Sequence, residues 1–184
     1  MLLVCAFLPA AVIGLAFGDS IKDKLFTPWA IVVAWAAGGI FLLWWKPAHG
    51  TRNIAEITLR NALIIGVAQS LAMWPGVSRS LVTIVAALLV GCSMAAALEF
   101  SFLLGLATLT AATALDLAKN GDELVNAYGW GTPILGAVVA FATAVIAVKW
   151  LVRFLAARPL AWFGWYRLAA AGVAMVLIMS NTIG

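Results

Sequence analysis

The chain alternates long apolar runs with short polar breaks. The apolar runs extend over about Leu2–Phe17, Trp29–Trp45, Met94–Leu117, Pro133–Leu151 and Trp162–Met179. Between them stand GDSIKDKLFTP, KPAHGTRNIAE, KNGDELVNAYGWG and VRFLAARPLA. The runs approach or reach the roughly 17–25 residues that a bilayer-spanning helix needs. None shows the short alternating segments of a transmembrane strand. The stretch from Ile57 to Cys92 departs from this pattern. Two short apolar arms flank QSLAMWPGVSRSLVT, and the periodicity breaks at Trp74–Ser78. Each arm is too short to cross, and Pro75-Gly76 ends a helix. A re-entrant pair of half-helices over about 57–92 is therefore predicted.

Composition turns this pattern into a fold class. Of 184 residues, 65% are hydrophobic and 10% charged, with a mean hydropathy of +1.10. A water-soluble domain cannot hide that much apolar surface. The expectation is an all-α integral membrane protein: one transmembrane domain over residues 1–184, a polytopic helical bundle with a re-entrant pair. The net charge of +4 is small and lies in the polar breaks. It reads as a topology signal rather than a nucleic-acid footprint. Cys5 and Cys92 sit in apolar surroundings and read as packing residues. His49 has no cysteine or acidic cluster beside it, so no protein-built zinc or other metal site is assigned. The opening MLLVCAFLPAAVIGLAF lacks the basic leader of a signal peptide and begins as if already within a span.

Loop charges set the orientation. The breaks at Lys46–Arg52 and Lys149–Arg158 are basic, Asp19–Lys24 is balanced, and Lys119–Glu123 is net acidic. The positive-inside rule places the two basic breaks in the cytoplasm. They share a side only if Ile57–Cys92 crosses an even number of times, either twice or by dipping in and returning, and the short arms fit the second better. Trp44, Trp45, Trp150, Trp162 and Trp165 would then mark one interface, and Trp29 and Trp130 the other.

The chemistry concentrates after the break. Ser78 is a good N-cap for the second half-helix, whose first turn would hold Arg79, Ser80 and Leu81. A helix N-terminus carries free N–H groups and partial positive charge. With Arg79 and two hydroxyls it suits an anion with several oxygens, most simply a phosphate. The residues alone leave a second reading open, in which Arg79 and the hydroxyls only hold helices together. Arg60 and Glu99 enter from one side at similar depth and are expected to pair. Asp116 reads as a solvated residue at a span end. Gly14, Gly38, Gly39, Gly66 and Gly105 read as sites of close helix packing.

These residues resemble a known family. QSLAMWPGVSRSLVT, AALEFSFLLGL, TALDL, LPAAVIGLAFGDSIKD and YRLAAAGV are together similar to the bacterial undecaprenyl-diphosphate phosphatases, known also for bacitracin resistance. The likeness runs over essentially the whole chain, and P-G-x-S-R-S is its most specific part. It implies two inverted repeats, each with a re-entrant pair, of which this chain would be the second half. It implies removal of the terminal phosphate of undecaprenyl diphosphate, which recycles the carrier lipid of cell-wall synthesis. It also implies a divalent cation (Mg or Ca), a multi-pass place in the bacterial inner membrane, and a site facing outside. By the same resemblance Ser78 and Arg79 are catalytic, on the phosphate side, and Gly76, Ser80, Thr83 and Gln69 are substrate-binding. The implied partners are undecaprenyl diphosphate and membrane lipid, with a second copy of the chain as a candidate and no nucleic acid.

Two features depart from the family pattern. Leu81 stands where the motif commonly has glycine. Nothing here matches the first repeat's E-G-L-T-E-F-L-P-V-S-S-T-G-H-like segment, and Gln69 and Met73 occupy the places of its two glutamates. The chain is accordingly expected to be a C-terminal portion, inactive alone, whose cation ligands lie mainly elsewhere. A translocator of an anionic lipid or another anion is the competing class, because half-helices aimed at anions are also transporter hardware.

Overall fold

The computed structural model describes residues 1–46, 50–157 and 160–180, with only the backbone at 19, 20, 22–24 and 155–157. His49, Arg158 and the charged side chains at 19–24 thus lie outside the described residues. Among the described residues seven α-helices follow in order: α1 (Leu2–Leu25), α2 (Pro28–Trp44), α3 (Leu59–Gln69), α4 (Arg79–Leu89), α5 (Met94–Tyr128), α6 (Gly131–Ala157) and α7 (Ala161–Met179). Segments within α5, α6 and α7 are long and apolar enough to cross a membrane, and α1 to α4 contain shorter apolar stretches. Among the described residues the fold is all-α, and the chain is a multi-pass membrane protein.

The helices fall into two units, Met1–Gly105 with Pro159–Gly184, and Leu106–Arg158. The second unit holds the rest of α5 and all of α6. Two of the expected breaks do not interrupt the backbone. α1 continues through the GDSIKDKL stretch to Leu25, and α5 continues through KNGDELVNAY to Tyr128. Polarity ends a span, but it does not end a helix. Lys, Glu and Leu continue one readily, and Pro28 and Gly129 supply the real stops. Gly129 has φ +66, the left-handed conformation of a helix C-cap.

In the first unit α2 packs along α7, where Gly39 and Gly164 meet: a Cβ on either would lie 3.0 Å from the other's carbonyl oxygen. Contacts pair Gly38 with Arg167 and Leu43 with Gly164, so the two helices run antiparallel. This brings Trp44 level with Trp162 and Trp165 at one end, as an interfacial belt requires. α1 runs parallel to α3, with Gly66 against the Ala6 backbone and Gly14 beside Met73.

The region at 57–92 is a hairpin of two half-helices. α3 and α4 have 11 residues each. At 1.5 Å per residue each spans about 16 Å, roughly half of a hydrocarbon core. The chain leading into α3 is hydrogen-bonded to the chain leaving α4. Arg52 N–H donates to Gly91 O at 3.1 Å, Ser93 N–H donates to Arg52 O at 2.9 Å, and the Arg52 guanidinium donates to Val90 O. Both ends of the hairpin therefore lie on one side, as the re-entrant reading expects. A cation at the C-terminus of α4 also opposes the helix dipole there. Cys92, fully buried in this junction, is a free thiol. Burial pushes it up from its ordinary range, and the Arg52 charge pulls the other way.

The tip is a tight turn. Val77 N–H donates to Trp74 O at 3.1 Å across Pro75 and Gly76, and Gly76 has φ +85. Proline at the second position and positive φ at the third suit a type II turn. A Cβ at Gly76 would also come within 2.9 Å of Ile31 Cα and O. Gly76→Ala is accordingly expected to destabilise the protein by about 1–3 kcal/mol from backbone strain alone, with the α2 contact adding to it. Thermal unfolding in detergent checks this, and a wild-type transition would show that the turn is not strained.

Candidate functional site

Ser78 caps α4 as its residue type predicts. Its φ and ψ are extended (−74, 113), and its Oγ accepts from Leu81 N–H at 3.4 Å. Capping leaves the Ser78 O–H available while fixing the direction of the first turn. Arg79 and Ser80 follow at once, Arg79 half-buried and Ser80 exposed. A helix beginning in this way presents N–H dipoles, a guanidinium and hydroxyls at one place, which is a chemistry for oxyanions.

Beside this turn lies an apolar groove with a cavity of about 480 Å³. One wall is the stripe Ser78, Leu81, Val82, Val85 and Ala86 of α4, spaced as one helix face. The other walls come from α2, through Val33, Ala34, Ala37, Gly38 and Phe41, and from Ala68, Leu71, Trp74 and Val77. Leu81 forms part of this wall. The polar residues of the lining are Trp74, Ser78 and Arg167. Trp74 Nε1 donates to Ala30 O at 3.3 Å, fastening the tip to α2.

Arg167 is a site residue that the spacing arguments missed. From α7 its Nη2 donates to Ala34 O and to Gly76 O, each at 3.0 Å. One guanidinium group thus ties α7, α2 and the tip turn together. Its Nε–H is buried with no acceptor among the described residues. The signal was present in the sequence, since Arg167 is an intramembrane charge with no acid near it in α7. Gly38 makes the approach possible, because a Cβ there would lie 2.9 Å from Arg167 Nη2 and 3.0 Å from Nε.

The other expected site residues have different positions. The Gly76 carbonyl is held by Arg167. Thr83 is 1% exposed. It faces away from the groove, and its Oγ1 lies 3.0 Å from Arg79 O and 2.5 Å from Ser101 Oγ. Gln69 is 3% exposed. It continues the Ala62–Ile65–Gly66 stripe that packs on α1, and its Oε1 has no partner among the described residues. Ser78 and Arg167 line the groove, with Arg79 and Ser80 on the adjoining turn, while Thr83 and Gln69 lie behind that surface. The expected Arg60–Glu99 pair does not form. Both residues are exposed, and no ion pair joins them among the described residues. With their charged ends in the open, the attraction does not offset the cost of fixing two long side chains.

The donor set does not fit a resident metal. Arg79, Arg167 and hydroxyls are anion-side groups, and no cluster of three His, Cys, Asp or Glu residues occurs among the described residues.

Fold and site together define a multi-pass membrane protein in which a Ser78-capped helix start lies beside an apolar groove. The sequence profile of the Bacitracin resistance protein BacA family matches residues 1–173, and the chain belongs to that family. It is 43% identical over 182 residues to an undecaprenyl-diphosphatase of Sorangium cellulosum, covering 95% of this chain and 59% of that protein. It is 41% identical over 184 residues to undecaprenyl-diphosphatase 2 of Rhodospirillum rubrum, covering 98% and 67%. It is 42% identical over 180 residues to an undecaprenyl-diphosphatase of Cereibacter sphaeroides, covering 96% and 67%. The chain thus spans three-fifths to two-thirds of the length of these curated relatives.

The Arg167 geometry makes a prediction. The three atoms nearest a Cβ at Gly38 all belong to the Arg167 side chain, so Gly38→Ala and Arg167→Ala should each lower thermal stability. The double variant should be no less stable than Arg167→Ala by itself. Strict additivity in the unfolding midpoints would show that Gly38 does not serve Arg167.

Proposed function

We propose that this chain forms the phosphate-binding side of an enzyme that hydrolyses undecaprenyl diphosphate to undecaprenyl phosphate. One observation carries the reading: the Ser78-capped start of α4, with Arg79 in its first turn, opens beside an apolar groove in a chain of the BacA family. An oxyanion head joined to a long hydrocarbon matches both parts of that arrangement.

In the reaction, water adds to the terminal phosphorus and the bridging P–O bond breaks. Inorganic phosphate and the lipid monophosphate are released. The contribution of this chain is to bind and to hold charge. Arg79 neutralises non-bridging oxygens through its planar fork, and Ser78, Ser80 and the first-turn N–H groups complete the cradle. Arg167, which holds the Gly76 carbonyl, keeps the tip turn ahead of this cradle in place. Positioning and charge stabilisation supply most of the catalysis in phosphoryl transfer. The first prenyl units lie along the α4 stripe and Phe41. A divalent cation is implied by the family resemblance, but the donor set described here would not hold one, so no step is assigned to it. The basic breaks support a cytoplasmic placement for the hairpin's open end, with the phosphate site toward the outer face of the bacterial inner membrane.

Two measurements test this. Arg79→Lys should lose most turnover on undecaprenyl diphosphate in reconstituted vesicles, because a point charge does not reproduce bidentate geometry. Near-normal phosphate release in that variant would remove the clamp assignment, and lipid movement without phosphate release would favour a translocator. Ala37→Phe should weaken binding of long prenyl diphosphates about tenfold or more by filling the groove, while binding of inorganic pyrophosphate stays unchanged. Equal loss for both ligands would show that the groove does not hold the tail.

A further inference from the structure

Behind the groove-facing side of α4 lies a hydroxyl pair that is not part of the groove lining. Thr83 and Ser101 are 1% and 3% exposed, on α4 and α5, with their oxygens 2.5 Å apart. Thr83 Oγ1 also lies 3.0 Å from Arg79 O and 3.1 Å from Ser80 O, and Ser101 Oγ lies 3.4 Å from Ser80 O. Two protons serve these contacts. Two assignments use both: Ser101 O–H donating to Thr83 Oγ1 with Thr83 O–H donating to the Arg79 and Ser80 carbonyls, or Thr83 O–H donating to Ser101 Oγ with Ser101 O–H donating to Ser80 O, and in each the pair ends on the first-turn backbone. A chain of this kind polarises along its length and fixes the direction of its last donor.

A threonine bonding back to the carbonyl four residues earlier is ordinary within a helix. The carbonyls it reaches here are unusual, because they belong to the two residues that carry the guanidinium and the hydroxyl of the anion cradle. The partner that orients it comes from a different helix. A helix start is the segment most prone to fray, since its first N–H groups have no intrahelical acceptor. α4 begins directly after a tight turn, so its first turn needs support from outside.

We infer that Ser101 is a positioning residue for the phosphate clamp, acting through Thr83 on the Arg79–Ser80 backbone. The inference rests on the reading of Arg79 as that clamp. Ser101 touches no substrate. It sets where the first turn of α4 sits relative to α5, and thereby where the Arg79 side chain starts.

The test uses the protein in lipid nanodiscs with two readouts, amide hydrogen exchange along α4 and calorimetric titration with farnesyl diphosphate. Ser101→Ala and Thr83→Val should each speed exchange at Ser80–Val82 while leaving Ala86–Leu89 unchanged. Each should weaken farnesyl diphosphate binding about tenfold, the scale expected for a small misplacement of a binding group. The double variant should match the worse single one. Thr83→Ser, which keeps the hydroxyl, should behave as wild type. Unchanged exchange at the first turn in both single variants would overturn the inference. So would faster exchange spread evenly along α4 with affinity intact, because that describes plain packing. If wild-type protein binds no farnesyl diphosphate, the phosphate reading itself fails. That outcome is distinct from a failed positioning claim, in which wild-type binding persists and the variants match it.

Discussion

A polypeptide that stops being helical inside a bilayer must find partners for the backbone groups it frees, because lipid offers none. The turn at Pro75–Gly76 meets this constraint with one side chain. Arg167 donates to the Gly76 carbonyl from a helix far away in sequence, and the same nitrogen donates to Ala34. Trp74 makes a second tie to α2 through Ala30 O. Much of the surrounding geometry follows from this. Gly38 lacks a side chain so that the guanidinium can pass, α7 lies close along α2 through Gly39 and Gly164, and the groove has Arg167 in its wall. The structural support of the break and the wall of the groove therefore share Arg167, and α4 starts directly after the turn that it holds.

The α4 half-helix joins the chemical and structural roles in one element. Its face at Ser78, Leu81, Val82, Val85 and Ala86 lines the groove, and its opposite face carries Thr83 toward Ser101. Its N-terminus presents N–H groups and Arg79, while Arg52 sits on its last carbonyl. Eleven residues would be marginal as an isolated helix in water. In this protein the cap, the cross-helix hydroxyls and the guanidinium at the far end keep it formed.

Much of this was legible in the sequence because the relevant signals are local. The span pattern follows from apolar run length, the re-entrant hairpin from two short arms around Pro75-Gly76, and the cap from Ser78 preceding an apolar periodicity. What was not legible depended on distance or on helix propensity. The polar stretches after Phe17 and after Leu117 were read as loops because hydropathy measures where a span ends, whereas their residues are compatible with continued helix. Arg60 and Glu99 were paired by estimated depth alone, which does not fix the direction in which either side chain points. Arg167 and Ser101 act on residues far away in the chain, and no spacing rule connects position 167 to position 76. Gln69 was placed by analogy between repeats, and the structure adds that its stripe packs against α1.

The hydrogen bonds between Arg52 and the Gly91–Ser93 segment also bear on the order of events during synthesis. Arg52 leaves the ribosome before either half-helix, and its partners leave after both. Neither half-helix is long enough to be retained in a bilayer alone. The hairpin can close only once its last residue is available, so the two arms commit to the membrane together as a single cooperative step. The loop-closure entropy is met once, at the neck, by the Arg52 hydrogen bonds.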